Sequence, residues 1–224
     1  MTSSAIQKIG TSSKLLKILL ICGILAALVQ VGTDILAGNL YPGYSFTSQA
    51  VSELFAIGAP TSGLVVPLFT VYSVLLAAFA LGVWMSSAAA AAGRNRIRRV
   101  MALMLGGLAV SGLMLWPFFP MHMRVEEATF TDTMHLAITG AGVIFALMAV
   151  GFGAAALGKV FRWYSIGTIL ILVVPGIFAF MYASQVFTNQ PTPWLGLLER
   201  ISQYGNALWL AGLAIVRLRE EIDR

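Results

Sequence analysis

Charge is what this sequence lacks. Only 10% of its 224 residues are Asp, Glu, Lys or Arg, against about a quarter in a water-soluble domain. Hydrophobic residues make up 58% and the mean hydropathy is +0.86, which argues against a soluble fold. Cysteine is nearly absent: Cys22 stands alone, so no intramolecular disulfide can form and the redox compartment is unreadable. There is no nucleotide, flavin or haem signature, and no internal repeat of the kind that marks duplicated transporters. Acids are scarce too, nine against fourteen Lys and Arg, and the pI is about 9.7. That basic excess does not point to nucleic acid, because the cations gather at the ends of apolar runs rather than among exposed aromatics.

What is there is a set of long apolar runs. About 20 residues at 1.5 Å each cross a bilayer, and six segments qualify: 15–38, 63–90, 100–119, 133–157, 164–187 and about 201–216. The last is short, and its start can lie as far back as Leu195. The fold class expected is therefore all-α, a polytopic membrane bundle of six transmembrane helices. Twelve of the fourteen cations fall in four clusters: Lys8, Lys14 and Lys17; Arg94, Arg96, Arg98 and Arg99; Lys159 and Arg162; and Arg217, Arg219 and Arg224. Basic loops stay in the cytoplasm, so both termini are placed inside, with connections 39–62, 120–132 and 188–198 outside. The chain divides into an N-terminal tail 1–14, a six-helix domain 15–216 and a C-terminal tail 217–224. The first apolar run is too long for a signal-peptide core and is read as a retained anchor helix. Trp84 and Trp163 mark the inner interface, Trp116 and Trp194 the outer one. The partner implied is the lipid bilayer of a prokaryotic plasma membrane, with no nucleic acid.

Both histidines and six of the nine acids fall on the outer side. In the first outer connection, Ser48 can cap a short amphipathic helix ended by Gly58 and Pro60. It puts Gln49, Ser52, Glu53 and Ala56 on one face, with Glu53 either in water or turned toward the bundle. The second connection runs from Phe119-Pro120 through His122, Arg124, Glu126 and Glu127 to Asp132 and His135. Asp132 and His135 share a helix face. With His122 they form a His, Asp, His set suited to a divalent metal such as zinc, to be completed by Glu53, Asp34 or Glu199. The alternative is that Asp132 is an N-cap and the histidines are hydrogen-bonded interfacial residues. In the third connection Arg200 calls for a carboxylate partner among Glu53, Asp132 and Asp34. Asp34 lies about 6 Å inside the outer end of its helix at 1.5 Å per residue, with Gln30 one turn deeper, and an acid at that depth faces the bundle interior and is paired. The pair Pro175-Gly176 either kinks the fifth segment harmlessly or opens its backbone onto a cavity.

Ser52-Glu53-Leu54 with Gly58-Ala59-Pro60, Phe119-Pro120 followed by His135, and Gly196 with Glu199-Arg200 resemble, in their order between helices, a family of prokaryotic membrane proteins called domain of unknown function 998. The resemblance covers about residues 15–216 and implies a multi-pass helical membrane protein without a settled activity. A fainter likeness is to membrane hydrolases of the alkaline ceramidase and progestin-receptor type, from which this chain departs in lacking a His-x-x-x-His helix and in having six spans rather than seven. Three functions are thereby in play. One is a membrane protein whose outer polar layer is structural or binds a small ligand or lipid headgroup through Asp34, Ser52, Glu53, Glu199 and Arg200. Another is a metal-assisted hydrolase of lipid using His122, Asp132 and His135. The last is a small-solute transporter built on Asp34, Gln30 and the Pro175 break.

Overall fold

The computed structural model describes residues 3–87, 92–122, 124, 128–182, 185–186 and 190–223. Glu126, Glu127, Phe187, Arg224, residues 88–91 of the alanine run and the side chain of Lys8 lie outside the described residues. Among those residues the chain is all-α: helices α1 (Ser3–Leu40), α2 (Ser62–Ser86), α3 (Ala92–Phe118), α4 (Phe130–Ala156), α5 (Lys159–Met181) and α6 (Leu195–Ile222), plus one 3-10 turn, Val51–Phe55. Helices α1 to α5 each contain a stretch long and apolar enough to cross a membrane.

Each helix packs against the next in sequence, and α6 returns to pack on α1. Facing residues show that neighbours run antiparallel: Gly23 lies against Phe79 and Gly82 against Leu19, Gly107 against Phe145 and Gly142 against Leu108, and Gly205 against Ile171 and Gly212 against Tyr164. The six helices therefore form a closed up-and-down ring. One end of the ring carries the 41–61 loop, His122 and the start of α6; the other carries Arg98, Lys159 and Arg217. The outer wall is apolar: Leu28 is 64% exposed, Phe180 78% and Val160 87%. A soluble protein could not tolerate such a belt, whereas lipid requires one. This is a membrane helical bundle.

The sixth helix explains its own lower apolarity. It carries Gln203, Asn206 and Arg217 along its length, and its inner face is enclosed by protein, with Trp209, Leu210, Leu213 and Ala214 fully buried. Side chains facing protein need not match lipid. Trp209 spans the interior, its indole N–H donating to Ser165 Oγ on α5 at 2.9 Å. Its ring fills the notch at Gly153 on α4, where a Cβ would collide with it.

Pro175 does not break α5, which continues to Met181. Proline removes the amide that would bond the carbonyl four residues back. That carbonyl, Ile171, instead faces the Ser202 hydroxyl of α6 at 3.4 Å, with Leu172 O at 3.3 Å from the same hydroxyl. A neighbouring helix thus offers the freed carbonyl a donor.

The short amphipathic helix expected in the first outer connection takes another form. It is a single 3-10 turn, and Val51, Glu53, Leu54 and Phe55 are all buried. Ala50, not Ser48, stands at its N-cap. The Glu53 carboxylate folds back to accept the Ala50 amide at 3.0 Å, and the chain turns extended at Ala56, which ends the helix after one turn.

Candidate functional site: an ionic cap at one end of the ring

Arg200 organises the cap. Its Nε and one terminal nitrogen form a two-pronged pair with Asp34, at 2.9 and 2.8 Å. That second nitrogen also donates to the Tyr44 hydroxyl at 2.7 Å. The other terminal nitrogen donates to the carbonyls of Phe46 at 2.8 Å, Gly196 at 3.1 Å and Gln49 at 3.3 Å. A guanidinium has five N–H donors in a planar fork, and this set of partners occupies all of them. The Phe46 and Tyr44 rings lie 4.8 and 5.4 Å from the guanidinium carbon, adding cation–π attraction. Asp34 accepts a third bond from the Tyr204 hydroxyl. Asp34 is 1% and Arg200 6% exposed, so of the three carboxylates that sequence leaves open for Arg200, Asp34 is the one it meets.

The loop lies so close over α6 that only glycine fits beneath it. A Cβ at Gly196 would strike the Gln49 and Phe46 carbonyls. The two segments are also stitched by Leu197 N to Thr47 O at 3.1 Å, and by the Glu199 carboxylate, which accepts the Val51 amide at 2.8 Å. Tyr44 donates onward to Ala50 O at 2.8 Å. Burial raises the pKa of this phenol above its ordinary value, with the Arg200 charge opposing, so it stays a neutral donor.

A second arginine, which sequence reading treated only as a cation among acids, binds Glu53. Arg124 donates from Nε at 3.3 Å and from a terminal nitrogen at 3.1 Å to that carboxylate. It also reaches Thr192 Oγ1 at 2.9 Å and Gln190 O at 3.2 Å, tying two outer connections to the turn. Its backbone φ is 37°, a left-handed conformation uncommon outside glycine, and these bonds are what hold it there. Glu53 is 0% exposed and also accepts from the Gln49 amide nitrogen at 3.0 Å. The choice between water and bundle is settled inward.

The histidines do different work from one another. Asp132 is not the N-cap of α4, which is Thr129, but its N3 partner in a capping box: its carboxylate accepts from Thr129 N at 2.9 Å and Thr129 Oγ1 at 2.7 Å. It also accepts from the His122 amide at 2.7 Å and lies 3.1 Å from His122 Nδ1. His135, expected beside Asp132, points elsewhere: Nδ1 is 2.8 Å from Phe119 O, and the ring stacks on Phe55 at 5.8 Å. Of the metal set read from sequence, His122 and Asp132 are thus adjacent and His135 is spent on a loop carbonyl. Among the described residues no three of His, Cys, Asp and Glu come together as a metal-holding group. Ser52 is half-exposed and stands at the rim. Trp116, near the end of α3, is half-buried, bonded to Ser73 Oγ at 2.9 Å and packed on Phe55 and Phe69.

Sequence reasoning missed Tyr44, Tyr204 and Thr192, and named Gln49 only as sharing a face with Glu53. Their hydroxyls and amide are ordinary loop and helix polar groups until Asp34, Glu53 and the two arginines are brought beside them. No curated protein and no solved structure proves similar to the chain. Residues 24–216 match the family described as protein of unknown function (DUF998). That stretch covers most of the chain, with part or all of each of the six helices and every residue named in the ionic cap, so the chain belongs to that family.

Proposed function

We propose that this is a six-span protein of the prokaryotic plasma membrane, with both termini in the cytoplasm and the ionic cap outside. Its cytoplasmic ends are taken as 1–14 and 217–224 around a domain 15–216, with α1 and α6 running on into them. The cap is read as a preorganised binding platform for a small polar ligand or lipid headgroup, met at its rim by Ser52, His122 and Arg124, while Asp34, Glu53, Glu199 and Arg200 hold its shape. The observation that carries this reading is the saturation of Arg200: every donor is already engaged by protein groups. A ligand is therefore not needed to neutralise the deepest charges. A metal-assisted lipid hydrolase would have to build on the His122–Asp132 pair alone. A transporter would build on Gln30, whose Oε1 is buried without a partner one turn below Asp34. Neither has a complete constellation among the described residues.

Cysteine accessibility in a Cys22→Ser background tests orientation and lock together. An impermeant reagent added to intact cells is expected to label Gln190→Cys, to miss Arg96→Cys, and to miss the buried Ala50→Cys until Arg200→Ala is added. Labelling of Arg96→Cys from outside, without Gln190→Cys, overturns the orientation. Full reaction of Ala50→Cys with Arg200 intact overturns the lock.

A further inference from the structure

The cap draws in three carboxylates, Asp34, Glu53 and Glu199, but only two guanidiniums reach them. Asp34 takes the fork of Arg200 and the Tyr204 hydroxyl. Glu53 takes Arg124, the Gln49 side chain and the Ala50 amide. Glu199 is left with the Val51 amide at 2.8 Å, its one hydrogen bond among the described residues. Arg200, its neighbour in sequence, has turned its donors to Asp34, Tyr44 and backbone carbonyls. The charges felt by Glu199 are those of Glu53 in the 3-10 turn, Asp34 on α1 and Arg200 on its own helix, and the Tyr44 phenol faces it from the loop. Arg124 is engaged by Glu53, and His122 and His135 by Asp132 and Phe119. An anionic Glu199 thus puts a surplus negative charge beside two others in a half-buried place, which disfavours the charged form. Withdrawal from water pushes its pKa up to about 7, with the Val51 amide and Arg200 opposing and the Glu53 and Asp34 charges adding to the rise.

We propose that Glu199 is the proton-binding residue of the cap: the closed cap holds it as the neutral acid, and when segment 45–51 lifts from α6 its O–H bond breaks and the proton passes to water. The cap is therefore closed in acid and loosened as the medium turns alkaline. The neutral acid still accepts the Val51 amide through its carbonyl oxygen, so protonation removes the surplus charge without cutting that stitch. The other ties between segment and helix, Leu197 N to Thr47 O and Arg200 to the Phe46 and Gln49 carbonyls, carry no proton that leaves near neutral pH. The sign follows from linkage. A glutamate freed into water titrates at its ordinary value, 4.5, against about 7 in the closed cap, so stability of the closed form is full below the first value and falls as pH rises toward the second. The proposal rests on the lock between loop and α6, and not on which side of the membrane the cap faces.

Hydrogen exchange on the full chain in detergent, at about pH 5.5 and about pH 8, tests it. Exchange of segment 45–51 is divided by that of the first turn of α4 in the same molecule, which cancels the chemical effect of pH on amides. The wild-type ratio should rise by about tenfold or more, because the open population gains about tenfold for each pH unit between the two titration points. Glu199→Gln, neutral at every pH and able to accept the Val51 amide, should hold the ratio flat. Where that variant does not fold, the wild-type ratio alone decides. A wild-type ratio flat with pH overturns the proposal, as does an equal rise in Glu199→Gln. Slow exchange at both pH values would leave the lock standing without its proton; fast exchange at both would remove the lock as well.

Discussion

The two ends of the ring both bury arginine, yet they use it in opposite ways. At the cap, Arg200 and Arg124 each have a carboxylate of their own, and their remaining donors go largely to loop carbonyls and hydroxyls. At the other end, Arg98 and Arg217 share one carboxylate, Glu220, and Arg217 also donates to Ser86 Oγ at 2.6 Å. The first pattern organises irregular backbone: guanidinium forks take the place of the regular hydrogen bonds that a loop near lipid would otherwise lack. The second latches the ends of α2, α3 and α6 to one another, with no loop to shape. Charge balance differs accordingly. Cap cations are matched by buried acids, whereas Arg94, Arg96 and Arg99 remain exposed at the other end, available to lipid phosphate.

Substitutions can break that comparison or sharpen it. The largest effect is expected from Arg200→Ala, which strands the buried Asp34 carboxylate. Removing one partner of a buried pair costs about 3–5 kcal/mol, so the detergent Tm should fall by on the order of 10 °C. A double-mutant cycle with Asp34→Ala should show strong coupling; additive losses would mean that the arginine stabilises through its carbonyl contacts alone. Next comes Asp132→Ala, which removes the N3 carboxylate of the α4 capping box and the anchor of His122 together. A helix cap is worth about 1–2 kcal/mol, and the loss should appear as faster amide exchange at the start of α4 while the Arg200 region stays protected. The smallest is Glu220→Gln. Its side chain is 34% exposed although both arginines are buried, and glutamine keeps an acceptor for them, so the cost should stay at about 1 kcal/mol. A loss comparable with that of Arg200→Ala would show the two ends to be equally dependent on their ion pairs.

Hydropathy made the five most apolar helices legible, because burial in lipid acts on every outward residue and leaves a long unbroken signal. The return of α6 to α1 was less legible, since α6 faces protein and carries polar groups. Asp34 could be named as a candidate for Arg200 from its depth, but 166 residues separate the two, and no local pattern ranks Asp34 above Glu53. The 3-10 turn was misread as an amphipathic helix because a carboxylate bonding its own N-cap amide looks, in sequence, like a polar face. The latch at Glu220 went unseen for a simpler reason. Residues 217–224 look like a charged tail, whereas the helix continues to Ile222 and buries Arg217 to 1% exposure.

One consequence of the closed ring concerns how the protein is made. Helix α6, with Gln203, Asn206 and Arg200 in its first half, is the helix least able to partition into lipid unaided, and it is synthesised after the five that can. Its insertion should therefore be templated: α1 and α5 present a waiting cleft, and Asp34 supplies the counter-charge that makes Arg200 tolerable at that depth. An insertion reporter should show α6 entering membranes poorly when fused alone, and efficiently behind α1–α5. Asp34→Ala should lower that efficiency more than any single change in the α4–α5 hairpin. Efficient entry of isolated α6 would mean that the ring is closed by packing after insertion, not during it.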